Sequence, residues 1–320
     1  MKYALHRIAH TIGLLATISI CSFFLLSLAP GKPFDEMRLN PQTSSATIAA
    51  ERARYGLDRP IVERYFSWAK GLFHGDVGYS FSYGADINSF LWARTRNTLL
   101  LTFTATVLAW LLAIPIASWC AISKGAADRG VGLLTSLVVS LPEPFLALCA
   151  LYLAVRFRYS SIGGITSLDF DDLSTLAKLH DFLRHLFLPA LILTLAILPI
   201  LIRHIRSAVS DVLGSPFIEA AKLGGVPPMR LMFRGVLPAA ANPVFPLLGF
   251  SIGYLLSVSL VVESIMQWPG LGPLFLESIF SRDLLVVLDV VLLSALFMVG
   301  GNLIADLLLY WNDPRIRVRG

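Results

Sequence analysis

Six stretches of the chain are apolar for long enough to cross a bilayer, and the polar positions fall largely between them. A hydrocarbon core of about 30 Å takes roughly 20 helical residues. The apolar runs lie near 12 to 28, 97 to 122, 131 to 155, 186 to 204, 239 to 264 and 284 to 311. Backbone groups in lipid must be paired internally, which leaves helices or a closed barrel. A barrel would show short strands of alternating hydrophobicity, and these runs are continuous. The pattern predicts an all-α, polytopic membrane protein of about six transmembrane helices. Lys2 and Arg7 ahead of the first run would also suit a signal peptide, but the run is longer than a usual signal core. Leu28-Ala29-Pro30-Gly31 also lacks a small-x-small cleavage pattern, so the run reads as a membrane helix.

Between the first two runs, Asp58, Arg59 and Pro60 suit a helix start, and Ile61, Tyr65, Ala69 and Leu72 fall on one helical face. Gly71 and Gly75 would end that helix. With Tyr65, Phe66, Trp68 and Trp92 the segment would form either an amphipathic collar in the headgroup layer or a small cap on the outer loops. Prolines interrupt the later runs: Pro115, then Pro142 and Pro144, Pro189 and Pro199, and Pro243 and Pro246. Proline removes a backbone donor and kinks a helix. Taken singly, each has a plain explanation in the commonness of proline in membrane helices.

Charge sets the expected orientation. Lys2, Arg7, Lys124, Arg129, Arg203, Arg206, Lys222, Arg230, Arg234, Arg315, Arg317 and Arg319 fall on one side, against Arg156, Arg158, Lys178, Arg184 and Arg282 on the other. The positive-inside rule makes the first side, with both termini, cytoplasmic. The organisation expected is an N-terminal membrane helix over 1–30, an extracytoplasmic segment with interfacial helices over 31–96, a transmembrane domain over 97–311, and a cytoplasmic tail over 312–320. A cytoplasmic loop at about 205–238 belongs to the transmembrane domain.

Composition agrees: 56% of the 320 residues are hydrophobic and 15% charged, and the mean hydropathy is +0.70. The net charge of +5 fits loops facing anionic headgroups. Without a basic helix interleaved with aromatics, it does not indicate nucleic acid. Cys21, Cys120 and Cys149 each sit in an apolar run without metal-ligand spacing, and the six histidines form no ligand or triad pattern. No metal, cofactor or catalytic group is expected in this chain.

The most informative stretch joins the fourth and fifth runs, from Gly214 to Pro238. Ser215 and Pro216 suit a helix start, Gly224 and Gly225 a left-handed stop, and Pro227 and Pro228 the first turn of a second helix. Helices this short are marginal alone and make sense when one docks an apolar face into a partner's groove.

Glu219-Ala220-Ala221, three residues, Gly225, nine residues, then Gly235-Val236-Leu237-Pro238 resembles the Glu-Ala-Ala coupling motif of ABC importer permeases. Gly235 stands where that motif usually has isoleucine. The resemblance implies that Glu219, Ala220, Ala221, Gly225, Leu237 and Pro238 dock on an ATPase subunit and transmit its closure to the pore. Further stretches resemble the dipeptide, oligopeptide and nickel permeases: Tyr55 to Pro60, Gly75 to Ser80, Arg96 to Leu100, Val262 to Ile265, Trp268 to Gly272, and Asp306-Leu307-Leu308 to Arg317. This likeness implies one membrane half of a binding-protein-dependent importer in a bacterial inner membrane. Its partners would be a second, non-identical permease, two ATP-binding subunits and an extracytoplasmic solute-binding protein. ATP and Mg would be held by the partners, since no Gly-x-x-x-x-Gly-Lys-Ser/Thr loop occurs here. Glu143 departs from the small polar residue usual in relatives, and Arg156 with Arg158 from an apolar exit, which leaves the substrate class open. An ionised side chain deep in a membrane should face a cavity or a partner, so Glu143 is a candidate pathway residue. The other reading is a structural carboxylate paired with Arg156 or Arg158. A secondary carrier driven by an ion gradient is the rival function; it would need no docking helix, and such carriers usually show internal repeats, which this sequence lacks.

Overall fold

The computed structural model describes residues 2–28, 58–123, 125–159 and 161–312. Lys124, the stretch Tyr55 to Leu57 and the basic tail from Asp313 lie outside the described residues, as does most of the 31–96 segment before Asp58. Helices dominate: α1 (Lys2–Ser27), α2 (Ile61–Phe73), α3 (Asn88–Ser123), α4 (Ala126–Val139), α5 (Glu143–Arg156) and α6 (Thr175–Leu213) come first. After them come α7 (Pro216–Leu223), α8 (Pro228–Leu231), a π turn over Met232–Val236, α9 (Leu237–Met266), α10 (Leu271–Phe280) and α11 (Leu284–Asn312). A two-stranded antiparallel hairpin, β1 (Tyr79–Ser80) and β2 (Ala85–Asp86), lies between α2 and α3. Among the described residues, five helices are long and apolar enough to span a membrane, and α4 with α5, bent at a short break, together have the length and apolarity of a sixth.

That break corrects the continuous third span expected over 131 to 155. The two halves meet at 97°. Pro142 and Pro144 lack the N–H groups that a continuous helix would direct at Val138 and Ser140, and Leu141, preceding a proline, is pushed out of helical geometry. The second half restarts with Pro142 as its cap, whose carbonyl accepts Phe145 N–H at 3.0 Å and Leu146 N–H at 3.1 Å. Pro115, Pro189, Pro199, Pro243 and Pro246 all sit inside unbroken helices. The second and fourth spans are also longer than their apolar runs, starting at Asn88 and Thr175.

Small residues bring the long helices together. Ala105, Ala109, Ala113, Ala117 and Ala121 of α3 recur every fourth residue and are all buried. They share one core with Leu193, Ile197 and Leu201 of α6. Without a hydrophobic drive between helices in lipid, such close approach gains van der Waals contact instead. Between α9 and α11 the approach is closer still: a methyl group on Gly249 would lie 2.8 Å from Cα of Asn302.

At the end of the bundle away from α7, α2 forms as expected. Ile61, Tyr65, Ala69 and Leu72 pack with Phe23 of α1 and Trp68 and Leu288. Gly75 (φ 78°) carries the chain out of the helix, with Asp76 N–H bonded to the Gly71 carbonyl at 3.0 Å and Gly75 N–H to the Leu72 carbonyl at 3.1 Å. α2 thus rests on membrane helices rather than on outer loops. Arg7 of α1 pairs with Asp306 of α11 at 3.0 Å, which sets the start of α1 beside the end of α11.

Candidate functional site

The loop between α6 and α9 forms a projecting helix, a left-handed turn and a return helix. Ser215 (φ −79°, ψ 145°) precedes Pro216 at the first helical position, where a missing N–H costs nothing. The hydroxyl of Ser215 donates back to the Val212 carbonyl at 2.5 Å and so ties α7 to the end of α6. Gly225 (φ 75°) ends α7. Gly225 N–H bonds to the Lys222 carbonyl at 3.0 Å and Val226 N–H to the Ala221 carbonyl at 3.2 Å, the paired bonds of a Schellman motif. Gly224 has an ordinary negative φ of −75°, so one glycine supplies the left-handed step expected of the pair.

α7 has two faces. Ile218 is fully buried and joins Leu231 and Val236 in the main core, with Ala221 packed against it. Phe217, Glu219, Ala220, Lys222 and Leu223 face outward, Leu223 being 91% exposed. Met229 of α8 and Phe233 of the π turn are exposed as well. Large apolar side chains in the open make this loop a candidate docking surface. Of the residues singled out from sequence, Glu219 and Ala220 lie on the outward face, Ala221 turns inward, and Gly225 makes the turn. Leu237 and Pro238 open α9, Leu237 packed on the core and Pro238 exposed. Gly235 looks at Ile218 and Leu231 of its own chain, each 3.4 Å from where a methyl group would sit. Phe217 and Leu223 were passed over in the sequence because the Glu-Ala-Ala pattern names neither; their spacing with Ala220, three residues apart on each side, was the available signal.

Near the base of this loop, Arg206 of α6 pairs with Asp128 of α4 at 2.5 Å.

Glu143 lies apart from the loop, at the first residue of α5 and so at the break. Its Oε1 accepts the Tyr254 hydroxyl at 2.5 Å, Tyr254 lying just past the middle of α9. Neither Arg156 nor Arg158 pairs with it among the described residues; the partner is a phenol from another span. Phe250, one turn before Tyr254, stacks on its ring with centroids 5.7 Å apart and 21° between planes. The sequence reading missed both aromatics because they come from a helix more than a hundred residues away.

At the far end, three of the stretches that carried the family likeness meet. Asn97 donates from its side chain to the Pro269 carbonyl at 2.7 Å and accepts the Trp268 indole N–H on its backbone carbonyl at 3.1 Å. Thr98 Oγ1 accepts Leu271 N–H at 2.8 Å, and buried Glu263 accepts Gly272 N–H at 2.7 Å. The hairpin is held likewise: Asp283 accepts Ser80 Oγ at 2.6 Å and Ser82 Oγ at 3.1 Å, and Tyr83 donates to Glu277. No cluster of metal-ligating side chains occurs among the described residues.

Comparison with known proteins agrees with this architecture. Residues 113–318 match the model of the binding-protein-dependent transport system inner membrane component, and residues 1–102 match the N-terminal model of the same systems. The oligopeptide transport system permease protein AppB of Bacillus subtilis is 34% identical over 317 residues, covering 98% of both chains. The nickel import system permease protein NikB of Staphylococcus aureus is 29% identical over 322 residues, covering all of this chain and 93% of that one. The inward-facing MetNI methionine ABC transporter shares the fold, with a TM-score of 0.57 at 16% identity over 71% of this chain and 98% of its own. The chain is a multi-pass membrane permease and belongs to the family of binding-protein-dependent transport system inner membrane components.

Proposed function

We propose that this chain forms half of the translocation pathway of an importer for peptides or a related small solute in a bacterial inner membrane, with α7 as its point of coupling to an ATPase. The observation that carries the reading is the two-faced α7: Ile218 is locked in the core while Phe217, Ala220 and Leu223 stand uncovered. A groove on the ATPase would cover that face, and closure of the nucleotide dimer would push Ile218 against the ends of α6 and α9. ATP and Mg belong to the two ATP-binding subunits. A second, non-identical permease completes the pathway, and an extracytoplasmic solute-binding protein delivers the solute. The cytoplasm lies at the α7 end, where Arg203, Arg206, Lys222, Arg230 and Arg234 cluster.

Assembly tests this. Co-expression with the neighbouring transport genes should yield a complex containing all these subunits, and ATP-driven uptake should require each of them. Vesicles that transport solute with this chain as their only protein would contradict the proposal.

A further inference from the structure

We infer that Glu143, Tyr254 and Phe250 form a recognition site for a primary ammonium group on the transported solute, with the Tyr254 hydroxyl holding the carboxylate until the ammonium displaces it. The inference rests on the reading that the α4–α5 break lines the pathway.

Depth comes first. α4 has 14 residues, about 21 Å along its own axis, and starts at the α7 end of the bundle, so the break lies some way into the apolar layer. Tyr254 lies just past the middle of the 30-residue α9. Glu143 therefore stands well inside the membrane layer. Neither Glu143 nor Tyr254 is buried within the chain, and Phe250 is 44% exposed. A carboxylate at this depth is too costly to leave against lipid, so the accessible side of this cluster faces a water-filled space or a partner chain.

The chemistry points to a cation. Among the described residues no Arg, Lys or His lies within ion-pair range of Glu143, and only Oε1 has a hydrogen-bond partner, the neutral Tyr254 hydroxyl. The Tyr254 side chain reaches it, and Phe250 stacks on the Tyr254 ring. A carboxylate with aromatic rings near it suits an ammonium, which gains a charge-assisted hydrogen bond from the first and attraction to the ring quadrupoles from the second. The break places this group where a free amide end or a neutral solute would find no matching charge. In the empty state the Tyr254 hydroxyl makes a charge-assisted bond to Oε1, the place that the ammonium takes on binding. The same hydroxyl thus competes with the ligand.

Competition gives a test in which the two halves of one hydrogen bond behave oppositely. The complete importer, reconstituted with its binding protein and ATPases, is assayed for ATP-driven uptake of trialanine. Glu143→Gln should raise KM roughly tenfold, the loss of one charged hydrogen-bond partner, and Glu143→Asp should restore part of it. Tyr254→Phe should lower KM, because the competitor is gone. Phe250→Leu should raise KM with kcat nearly unchanged. If Glu143→Gln and Tyr254→Phe shift KM in the same direction, or neither moves it, the bond is structural and the recognition site is overturned while the importer reading stands. If the unaltered importer takes up no trialanine, the peptide reading itself fails, and the ammonium site with it.

Discussion

The Asn97 carbonyl accepts the Trp268 indole N–H at 3.1 Å while the Asn97 side chain donates to the next residue, Pro269, at 2.7 Å. One residue of α3 thus clamps both sides of the turn between α9 and α10. Trp268 is fully buried and Asn97 nearly so, so neither group has water as a substitute partner.

Asn97→Ala should therefore leave the Pro269 carbonyl unpaired at a cost of about 1–3 kcal/mol. The expected outcome is a lower midpoint of thermal inactivation in detergent, followed by size-exclusion chromatography after heating. Trp268→Phe, which removes the indole donor, should lower the midpoint too. An unchanged midpoint in both variants would show that the turn holds without the clamp.

Gly225 has open space around its Cα, so replacing it strains the backbone without a collision. Its φ of 75° costs an ordinary residue about 1–2 kcal/mol, and a β-branched one more. Gly225→Val should misdirect α7 and reduce stimulation of ATP hydrolysis by loaded binding protein, with insertion of the chain retained. Gly225→Asn should keep most of the stimulation, because asparagine tolerates the left-handed turn. Equal stimulation in all three proteins would contradict the role given to the turn.

Two glycines separate close packing from mere composition. Gly249→Ala would drive a methyl group into the backbone of Asn302, and overpacking of this kind costs about 1–3 kcal/mol. Gly300→Ala has nothing within 4 Å to meet. The first variant should lose yield of monodisperse protein and the second should match the parent.

Tyr83 outside the membrane offers a pH prediction. Burial, followed by the hydrogen bond to Glu277 and that carboxylate's charge, pushes its phenol up to about 12. A raised value means that the protonated form is favoured in the folded state. Its stabilisation is complete below the unfolded value of about 10 and disappears as pH rises through about 12. The difference in absorbance at 295 nm between the parent and Tyr83→Phe should therefore appear only near pH 12. A difference that develops near pH 10 would mean that the contact with Glu277 is absent in solution.

The number of spans was legible because length and hydropathy alone decide it, and α2 was legible because Ile61, Tyr65, Ala69 and Leu72 keep helical spacing. The turn at Gly225 was legible because glycine is the residue that such geometry demands. The 97° break was harder to read. Pro115 or Pro199 sits in its helix undisturbed, and within the apolar runs only Pro142 and Pro144 stand two residues apart. Tertiary partners left no local trace: nothing near Glu143 announces Tyr254, and nothing near Asn97 announces Trp268. The stretches around Asn97 and Trp268 were recognised as family-like, yet what joined them was visible only in the fold. The outward face of α7 needed burial as well as sequence, since Ala221 and Ala220 are adjacent in the same motif and point to opposite sides.

Cross-linking at Leu223 tests the docking of α7 most directly. In the assembled importer, with Cys21, Cys120 and Cys149 replaced by alanine, Leu223→Cys labelled with a benzophenone maleimide and irradiated should form a covalent adduct with an ATPase subunit. The yield should change when ATP closes the nucleotide dimer. Cysteine in place of Tyr152, exposed on α5 within the membrane layer, should give no such adduct. Absence of an ATPase adduct at Leu223, or equal adducts at both positions, would contradict the assignment of α7 as the coupling helix.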